Sequence, residues 1–121
     1  MSRQVKQGDG WRLGWDPTAP IFKALLAGAD WSIELTEAEF NQFCRFSQRL
    51  SDTMAQMSDE LMESEKIACE AEDDLIWLEA EGYADAFTLR FILLEGRRAE
   101  GGWPAEAVPQ ILQALPSLKV F

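Results

Sequence analysis

Alternating apolar and polar positions mark the first third of the chain as a set of short strands. Every second residue of Trp11–Trp15 is apolar, which is the period of a half-buried β-strand. Prolines at positions 17 and 20 end this strand because they lack the N–H that a sheet ladder needs. Residues 22–27 and 31–35 predict a second and a third strand on either side of a turn at residues 28–30.

After residue 35 the apolar period changes to three and four residues, which predicts an amphipathic helix. The helix begins with a capping box, in which the Thr36 hydroxyl accepts the Glu39 N–H and the Glu39 carboxylate accepts the Thr36 N–H. No proline or glycine occurs between residues 36 and 80. We therefore expect the helix to continue to about residue 62.

A period of two returns after Lys66 and predicts three antiparallel strands. A turn centred on Asp73 and Asp74 pairs positions whose numbers add to 147. The apolar pairs that this register creates are Ile67 with Ala80, Cys69 with Leu78, and Ala71 with Ile76. A second turn at residues 82–85 pairs Ala80 with Phe87, Leu78 with Leu89, and Ile76 with Phe91. One face of the predicted sheet is therefore apolar throughout.

The opposite face of this sheet brings an aromatic side chain next to a cation. Trp77 is predicted to lie between Glu70 and Arg90, with Leu75 and Ile92 nearby, and Lys66 is predicted to face Glu81. Aromatic residues and arginine are common anchors of binding surfaces. The alternative is that Trp77 stacks under Arg90 on an ordinary surface, or is covered by the N-terminal strands.

The chain ends with a predicted loop and a predicted helix. Residues 95–102 contain Arg97 and Arg98 and three glycines, which indicates a loop. Trp103 and Pro104 are expected to open the helix, whose buried stripe is Val108, Ile111, Leu112 and Leu115, and Pro116 ends it. The fold class is then α+β, with antiparallel sheets packed by two helices in the order β(3)-α-β(3)-α and two pseudo-duplicated halves. We expect residues 1–9 to be a flexible N-terminus and residues 10–121 to form a single α+β domain.

The acidic residues are concentrated in one segment. The 121 residues include 21 acids and 11 lysines plus arginines, for a net charge of −10. Residues 52–85 contain twelve of the acids and one base, so the remainder of the chain is close to neutral. An acidic surface repels phosphate, and nucleic-acid footprints are usually rich in clustered bases. Nucleic acid is therefore a disfavoured partner, although the charge of the other segments does not exclude it.

Missing residue types restrict the chemistry that the chain can perform. It has no histidine and two cysteines, Cys44 and Cys69, so it lacks a histidine-dependent catalytic relay and a four-thiolate zinc site. We expect both cysteines to be buried free thiols. Catalytic residues, a metal site and a cofactor are not expected. The first eight residues have no apolar run and no segment has the length of a membrane span, so we expect a cytoplasmic protein without a membrane partner.

Several strings resemble those of an uncharacterised family of cyanobacteria and plant plastids, domain of unknown function 1818. The strings are residues 10–17, 31–36, 69–72 and 76–79, together with the stretch 89–101. The resemblance covers roughly residues 8–121. It implies a fold similar to that of the single-stranded-DNA-binding transcriptional regulators of the Whirly and positive-cofactor-four type. It brings no established activity and no catalytic residues.

We interpret the chain as a non-catalytic protein-interaction or regulatory module and not as an enzyme. Its expected partner is an unidentified protein or a second copy of the chain. The candidate binding residues are Trp77, Arg90, Arg97, Arg98 and Arg12. The alternative, which rests on fold analogy alone, is a transcription-related protein that binds single-stranded nucleic acid by base stacking and a cationic groove, with Lys23 as a further base.

Overall fold

Each half of the chain folds as a four-stranded antiparallel meander that is followed by a helix. The computed structural model describes residues 3–57 and 65–118. The first half consists of β1 (Gln4–Gly8), β2 (Trp11–Trp15), β3 (Ala24–Ala27), β4 (Ser32–Leu35) and α1 (Glu37–Met57). The second half consists of β5 (Ile67–Glu72), β6 (Ile76–Tyr83), β7 (Ala86–Leu93), β8 (Glu100–Trp103), α2 (Val108–Ala114) and a 3₁₀ turn (Leu115–Ser117). In both sheets the strands are ordered as in the chain. Two antiparallel sheets with two helices confirm the predicted α+β class.

The predicted count of three strands in each half is wrong, because each sheet has a fourth strand. β1 lies in the segment that we expected to be a flexible N-terminus, and its residues pair with β2 from Gln4↔Trp15 to Gly8↔Trp11. β8 lies in the predicted loop 95–102 and pairs with β7. Trp103, the predicted start of the last helix, is the final residue of β8. The helix itself begins five residues later, at Val108.

The predicted register of the second sheet differs from the structure by two residues. The N–H of Asp73 donates to the carbonyl of Ile76 over 3.0 Å, so the turn is centred on Asp74 and Leu75. The pairs observed include Cys69↔Ala80 and Ala71↔Leu78. Because side chains alternate with a period of two, this shift leaves the apolar residues on the predicted face.

The second turn shifts in the same way and changes the neighbours on the outer face. Tyr83 pairs with Ala86, and Leu78 pairs with Phe91. Ala68, and not Lys66, faces Glu81, so the predicted Lys66–Glu81 cross-strand pair is absent from the described strands. The partners directly opposite Trp77 are Glu72 and Ile92. Glu70 and Arg90 instead flank Trp77 diagonally.

The capping box that was predicted at the start of α1 is confirmed. The Thr36 N–H donates to Glu39 Oε1 over 2.9 Å, and the Glu39 N–H donates to Thr36 Oγ1 over 3.2 Å. The helix packs on the inner face of β5 and β6. Its buried apolar residues are Phe40, Phe43, Phe46, Leu50 and Met54. The predicted continuation to residue 62 lies outside the described residues.

Three tryptophans join the two halves of the chain. The Trp31 N–H donates to the carbonyl of Gly102 over 3.2 Å, and the Trp103 N–H donates to the carbonyl of Ala27 over 2.9 Å. The two indole rings lie 5.2 Å apart between their centroids. A Cβ at Gly101 would lie 2.7 Å from the Trp31 ring. In addition, the Trp11 N–H donates to Gln110 Oε1 of α2 over 2.7 Å, so one buried cluster includes both sheets and both helices.

The remaining buried positions agree largely with the sequence pattern. Val108, Ile111 and Leu115 are buried, whereas Leu112 is half-buried. Both cysteines are free thiols, and both are half-buried, which corrects the expectation of full burial. The Cys69 thiol lies 3.9 Å from the Met54 sulfur. Both cysteine side chains pack against the hydrophobic core, which accounts for their partial burial.

Candidate functional site

Trp77 and Arg90 are in contact on the outer face of the second sheet, as the alternating pattern predicts. The Arg90 guanidinium carbon lies 5.0 Å from the centroid of the indole. The indole N–H donates to Glu70 Oε2 over 3.2 Å. Arg90 in turn forms an ion pair with Glu79 over 3.3 Å. Glu70 and Arg90 are diagonal neighbours of Trp77, and long side chains reach across this distance. The contacts of Trp77 with both residues are therefore present although the register differs from the predicted one by two residues.

The groups of Trp77 and Arg90 that could bind a ligand already interact with neighbouring side chains. One face of Trp77 is covered by Arg90, its N–H is bonded to Glu70, and the arginine charge is offset by Glu79. Glu72 pairs with Trp77 in the register and extends the acidic surface. The arrangement is that of a hydrogen-bonded surface network that is unfavourable to phosphate.

Arg97 lies between the two halves of the chain. Its Nη1 donates to the carbonyl of Glu34 over 2.9 Å and its Nη2 to Glu39 Oε1 over 2.7 Å. The guanidinium also lies over the Phe22 ring at 4.6 Å. Glu39 is only 5% exposed, and a buried carboxylate requires a neighbouring positive charge. Arg97 supplies this charge to Glu39. A residue that the sequence indicated for binding thus connects the β7–β8 loop to the start of α1.

The five predicted site residues are not brought together. Arg98 is exposed in the β7–β8 loop with a positive φ of 52°, and Arg12 lies on β2 in the first sheet. Within residues 3–57 and 65–118, no hydrogen bond, ion pair or ring contact connects Trp77 or Arg90 with Arg12, Arg97 or Arg98. The five residues therefore lie in four places. Trp77 and Arg90 belong to a surface network, Arg97 connects the two halves of the chain, Arg98 lies in an exposed loop, and Arg12 lies in the first sheet.

The outer face of the first sheet contains a groove, which we call the first-sheet groove. Val5, Gly14, Leu25 and Glu34 form one straight row across its four strands. Gly14 has no side chain, so the row has a depression between Val5 and Leu25. The resulting concavity has a volume of about 460 Å³, which is within the range of ligand sites. Its charged lining residues are Arg3, Arg12, Asp16, Lys23 and Glu34.

Exposed apolar side chains are concentrated at this groove. Val5 is 49% exposed and Phe22 is 36% exposed, and both line it. Ile21, which is 62% exposed, precedes Phe22 in the β2–β3 loop. The Lys23 ammonium holds this loop by donating to the carbonyls of Pro17 and Ala19 over 3.1 and 2.6 Å. An exposed apolar patch with a polar rim is characteristic of an interaction surface.

Two arginines give the groove its positive charge. The ion pairs between described residues are Arg90–Glu79 and Arg97–Glu39, so Arg3 and Arg12 form none with the described part of the chain. Asp16 is committed to the loop, because the Thr18 N–H and hydroxyl donate to its Oδ1 over 3.0 and 2.7 Å. These hydrogen bonds lower the pKa of Asp16, and the charges of Arg3 and Lys23 lower it further.

The sequence analysis selected Arg12 as a binding residue but grouped it with Trp77 and Arg90, and it did not predict this groove or its apolar part. Val5 was missed because β1 was not recognised as a strand. Phe22 was assigned to a strand, whereas it lies in the loop that precedes β3. The available signal was the adjacent Ile21 and Phe22, which form an apolar pair next to a proline.

The described part of the chain has neither a cluster of metal-ligating side chains nor a membrane-spanning helix. Residues 3–57 and 65–118 contain no group of three histidine, cysteine, aspartate or glutamate side chains that could hold a metal ion. None of the helices within these ranges has both the length and the apolar character that crossing a bilayer requires.

The chain belongs to the family defined as domain of unknown function DUF1818, whose model matches residues 6–118. No curated protein matches the chain. A crystal structure of a protein from Prochlorococcus sp. NATL2A, described as being of unknown function and from the DUF155 family, has a similar fold. The two are 29% identical and superpose with a TM-score of 0.91 over 97% of this chain and 98% of the other. The fold is thus shared with a protein of unknown function.

Proposed function

We propose that the protein is a non-catalytic interaction module that binds an extended segment of a partner protein in the first-sheet groove. The observation that carries this proposal is the combination of exposed apolar side chains with two arginines that lack an ion-pair partner in the described chain. Both features belong to one concave face of a chain whose net charge is −10.

The chemistry of the groove defines the partner segment. Val5, Phe22 and Leu25 offer apolar contacts, and burial of such surface is the main source of binding free energy. Arg3 and Arg12 favour carboxylates over bases, since complementary charges steer association and exclude the wrong partners. The expected segment therefore contains at least one aromatic or large aliphatic side chain with aspartate or glutamate on either side.

Selection from a random peptide library tests this proposal directly. We expect twelve-residue peptides enriched on the immobilised protein to share an acidic and apolar pattern. A synthetic peptide of that pattern should bind the Arg12→Glu variant at least roughly 10-fold more weakly, because an attraction becomes a repulsion. Arg98→Glu is the matched control, since Arg98 is exposed in a different loop, and its affinity should equal that of the unmodified protein at matched ionic strength.

Two results would contradict the proposal. The first is enrichment of peptides without acidic residues. The second is a peptide whose affinity changes equally in Arg12→Glu and Arg98→Glu, because this would indicate attraction to net charge and not to the groove. Phe22→Ala separates the apolar contribution, because it removes the ring without changing the charge. This variant should weaken binding and leave the salt dependence unchanged, whereas Arg12→Glu should alter the salt dependence.

Single-stranded nucleic acid is the second candidate, and it is favoured by the exposed Phe22 ring in a groove that also contains Arg3 and Arg12. Aromatic rings and arginine planes in a cationic groove are the elements of such sites, and the proposed likeness to Whirly-type regulators agrees with this. Glu34 and Asp16 oppose it by repelling phosphate. Fluorescence anisotropy with labelled dT20 and rU20 at low salt decides the matter: binding that is lost in Arg12→Glu and falls steeply with salt supports this candidate.

A further inference from the structure

The first strand of the chain, β1, lies at the edge of the first sheet. The order β1-β2-β3-β4 places it beside a single neighbour among the described strands. Gly8 and Trp11 flank the two-residue turn between β1 and β2, so they form a hydrogen-bonded pair, and such pairs recur at every second residue of an antiparallel ladder. The backbone N–H and C=O groups of Val5 and Gln7 therefore point away from β2.

Contacts within the chain occupy two of the other sheet edges. At the edge of β4, the outward carbonyl of Glu34 accepts Arg97 Nη1 over 2.9 Å. At the edge of β8, the carbonyl of Gly102 accepts the indole N–H of Trp31 over 3.2 Å. No hydrogen bond between described residues reaches the outward backbone groups of β1. These donors and acceptors are therefore open for pairing with another strand.

The edge of β5 differs from that of β1 in its charge. Glu70 and Glu72 lie on the outer face of β5 and are exposed. Like charges on neighbouring strands repel each other, so an acidic segment is disfavoured at this edge. Beside β1, in contrast, Arg3 and Arg12 line the first-sheet groove, and the half-exposed side chain of Val5 offers an apolar contact. The chemistry of the proposed partner thus fits the edge of β1.

We infer that the partner segment is an extended strand that pairs with the edge of β1. Backbone hydrogen bonds to Val5 and Gln7 hold it, and every second side chain enters the first-sheet groove. In this mode of recognition the main-chain bonds provide affinity and the pockets for alternate side chains provide specificity. The inference rests on the proposed function for the acidic and apolar character of the partner, and it adds the conformation and the position of the partner's backbone.

A seven-residue peptide, acetyl-Thr-Glu-Thr-Phe-Thr-Glu-Thr-amide, is the probe for this inference. As a strand it presents both glutamates and the phenylalanine on one face in either direction, and threonine favours strands. In ¹H–¹⁵N NMR titrations we expect a Kd of about 1 mM, which is reasonable for a short peptide. At saturation, solvent exchange of the Val5 and Gln7 amide protons should slow roughly 10-fold, whereas that of Lys6, which already bonds to β2, should change less than about 2-fold.

N-methylation of the peptide distinguishes strand pairing from contacts of side chains alone. Two derivatives carry two methyl groups each, either on the third and fifth residues or on the fourth and sixth. The N–H groups of alternate residues point at the sheet edge, so one derivative should lose at least roughly 10-fold in affinity and the other less than about 3-fold. Equal affinities of the two derivatives, or no binding of the parent peptide at about 10 mM, would overturn the inference. Equal affinities together with weaker binding to Arg12→Glu would leave the proposed function of the groove intact.

Variants of Gln7 test the same edge from the side of the protein. Gln7→Pro removes the outward N–H and leaves the bonds to β2, because proline is tolerated on an edge strand in this orientation. Gln7→Ala is the matched control, since it removes the same side chain and keeps the N–H. With folding verified by circular dichroism, Gln7→Pro should weaken binding of the peptide at least roughly 10-fold and Gln7→Ala less than about 3-fold. Equal affinities of the two folded variants would also overturn the inference.

Discussion

The indole of Trp31 lies directly on Gly101, the second residue of β8, across the junction of the two sheets. A Cβ at position 101 would lie 2.7 Å from two carbons of the indole, a distance that real side chains do not tolerate. The same indole donates its N–H to the carbonyl of Gly102. Glycine at position 101 is therefore required by the tryptophan and not by the conformation of a loop.

Gly101→Ala should destabilise the protein by about 2 kcal/mol, because overpacking of a filled site has costs of this size. The measurement is urea-induced unfolding followed by far-ultraviolet circular dichroism. Trp31→Leu removes the ring, so the same alanine should cost less than about 0.5 kcal/mol in that background. An unchanged cost would show that Gly101 is needed for another reason.

Arg97→Ala should destabilise the protein by about 2 kcal/mol, since it leaves the buried Glu39 carboxylate without its cation. The Thr36 N–H remains as a partner of that carboxylate, which keeps the cost below that of a fully abandoned charge. Arg98→Ala is the control, because Arg98 is exposed, and its effect should be within about 0.5 kcal/mol. Equal denaturation midpoints for the two variants would contradict the assigned role of Arg97.

Asp73→Ala should cost about 1–2 kcal/mol, because the carboxylate of Asp73 caps the β5–β6 turn. Its Oδ1 accepts the N–H groups of Leu75 and Ile76 over 2.8 and 3.0 Å, and its Oδ2 accepts Gln42 Nε2. Asp74→Ala is the matched control at the next, exposed position. Thermal unfolding should give a lower Tm for Asp73→Ala than for Asp74→Ala. A larger decrease in Tm for Asp74→Ala would contradict the assignment of Asp73 as the residue that caps the turn.

Acid should weaken the fold partly through Asp73. Partial burial raises the pKa of Asp73, but hydrogen bonds from Gln42, Ile76 and Leu75 and the charge of Arg45 outweigh it and hold the pKa below its ordinary value. A folded-state pKa below the unfolded value adds stability at higher pH, and this stability is lost as the pH falls through the folded-state pKa. The difference in unfolding free energy between the protein and Asp73→Asn should therefore shrink from pH 6 to pH 2, and a constant difference would contradict this assignment.

The apolar pattern predicted which faces are buried more reliably than it predicted where strands turn. Asp73 and Asp74 are both good turn residues, and the predicted turn is centred on this pair, whereas the observed turn is centred on Asp74 and Leu75. Asp73 also accepts a hydrogen bond from Gln42 of α1, a partner that only the folded chain provides. A shift of two residues preserves every face, so the pattern could not reveal the error. The capping box at Thr36 was predictable because both of its partners lie within four residues.

Strand β8 and the first-sheet groove were not predictable for a related reason. Gly101 and Gly102 have the composition of a loop, but they pair with β7, and Trp31, about seventy residues earlier in the chain, packs on Gly101. Likewise, Arg97 has the appearance of a surface cation until Glu39 is known to be buried. Arg12 could be selected by its type, but its neighbours Val5 and Phe22 belong to segments that only the sheet brings together.

The paired indoles at the junction of the two sheets also determine how the chain comes apart. Trp31 reaches from the first meander to Gly102, and Trp103 reaches back to Ala27, so each half completes the interior of the other. If one meander unfolds, the other exposes part of its hydrophobic core to water. A state with only one meander folded is therefore high in free energy. Amide protons of β3 and β7 should consequently exchange with solvent at the same free energy of opening, as a single cooperative unit.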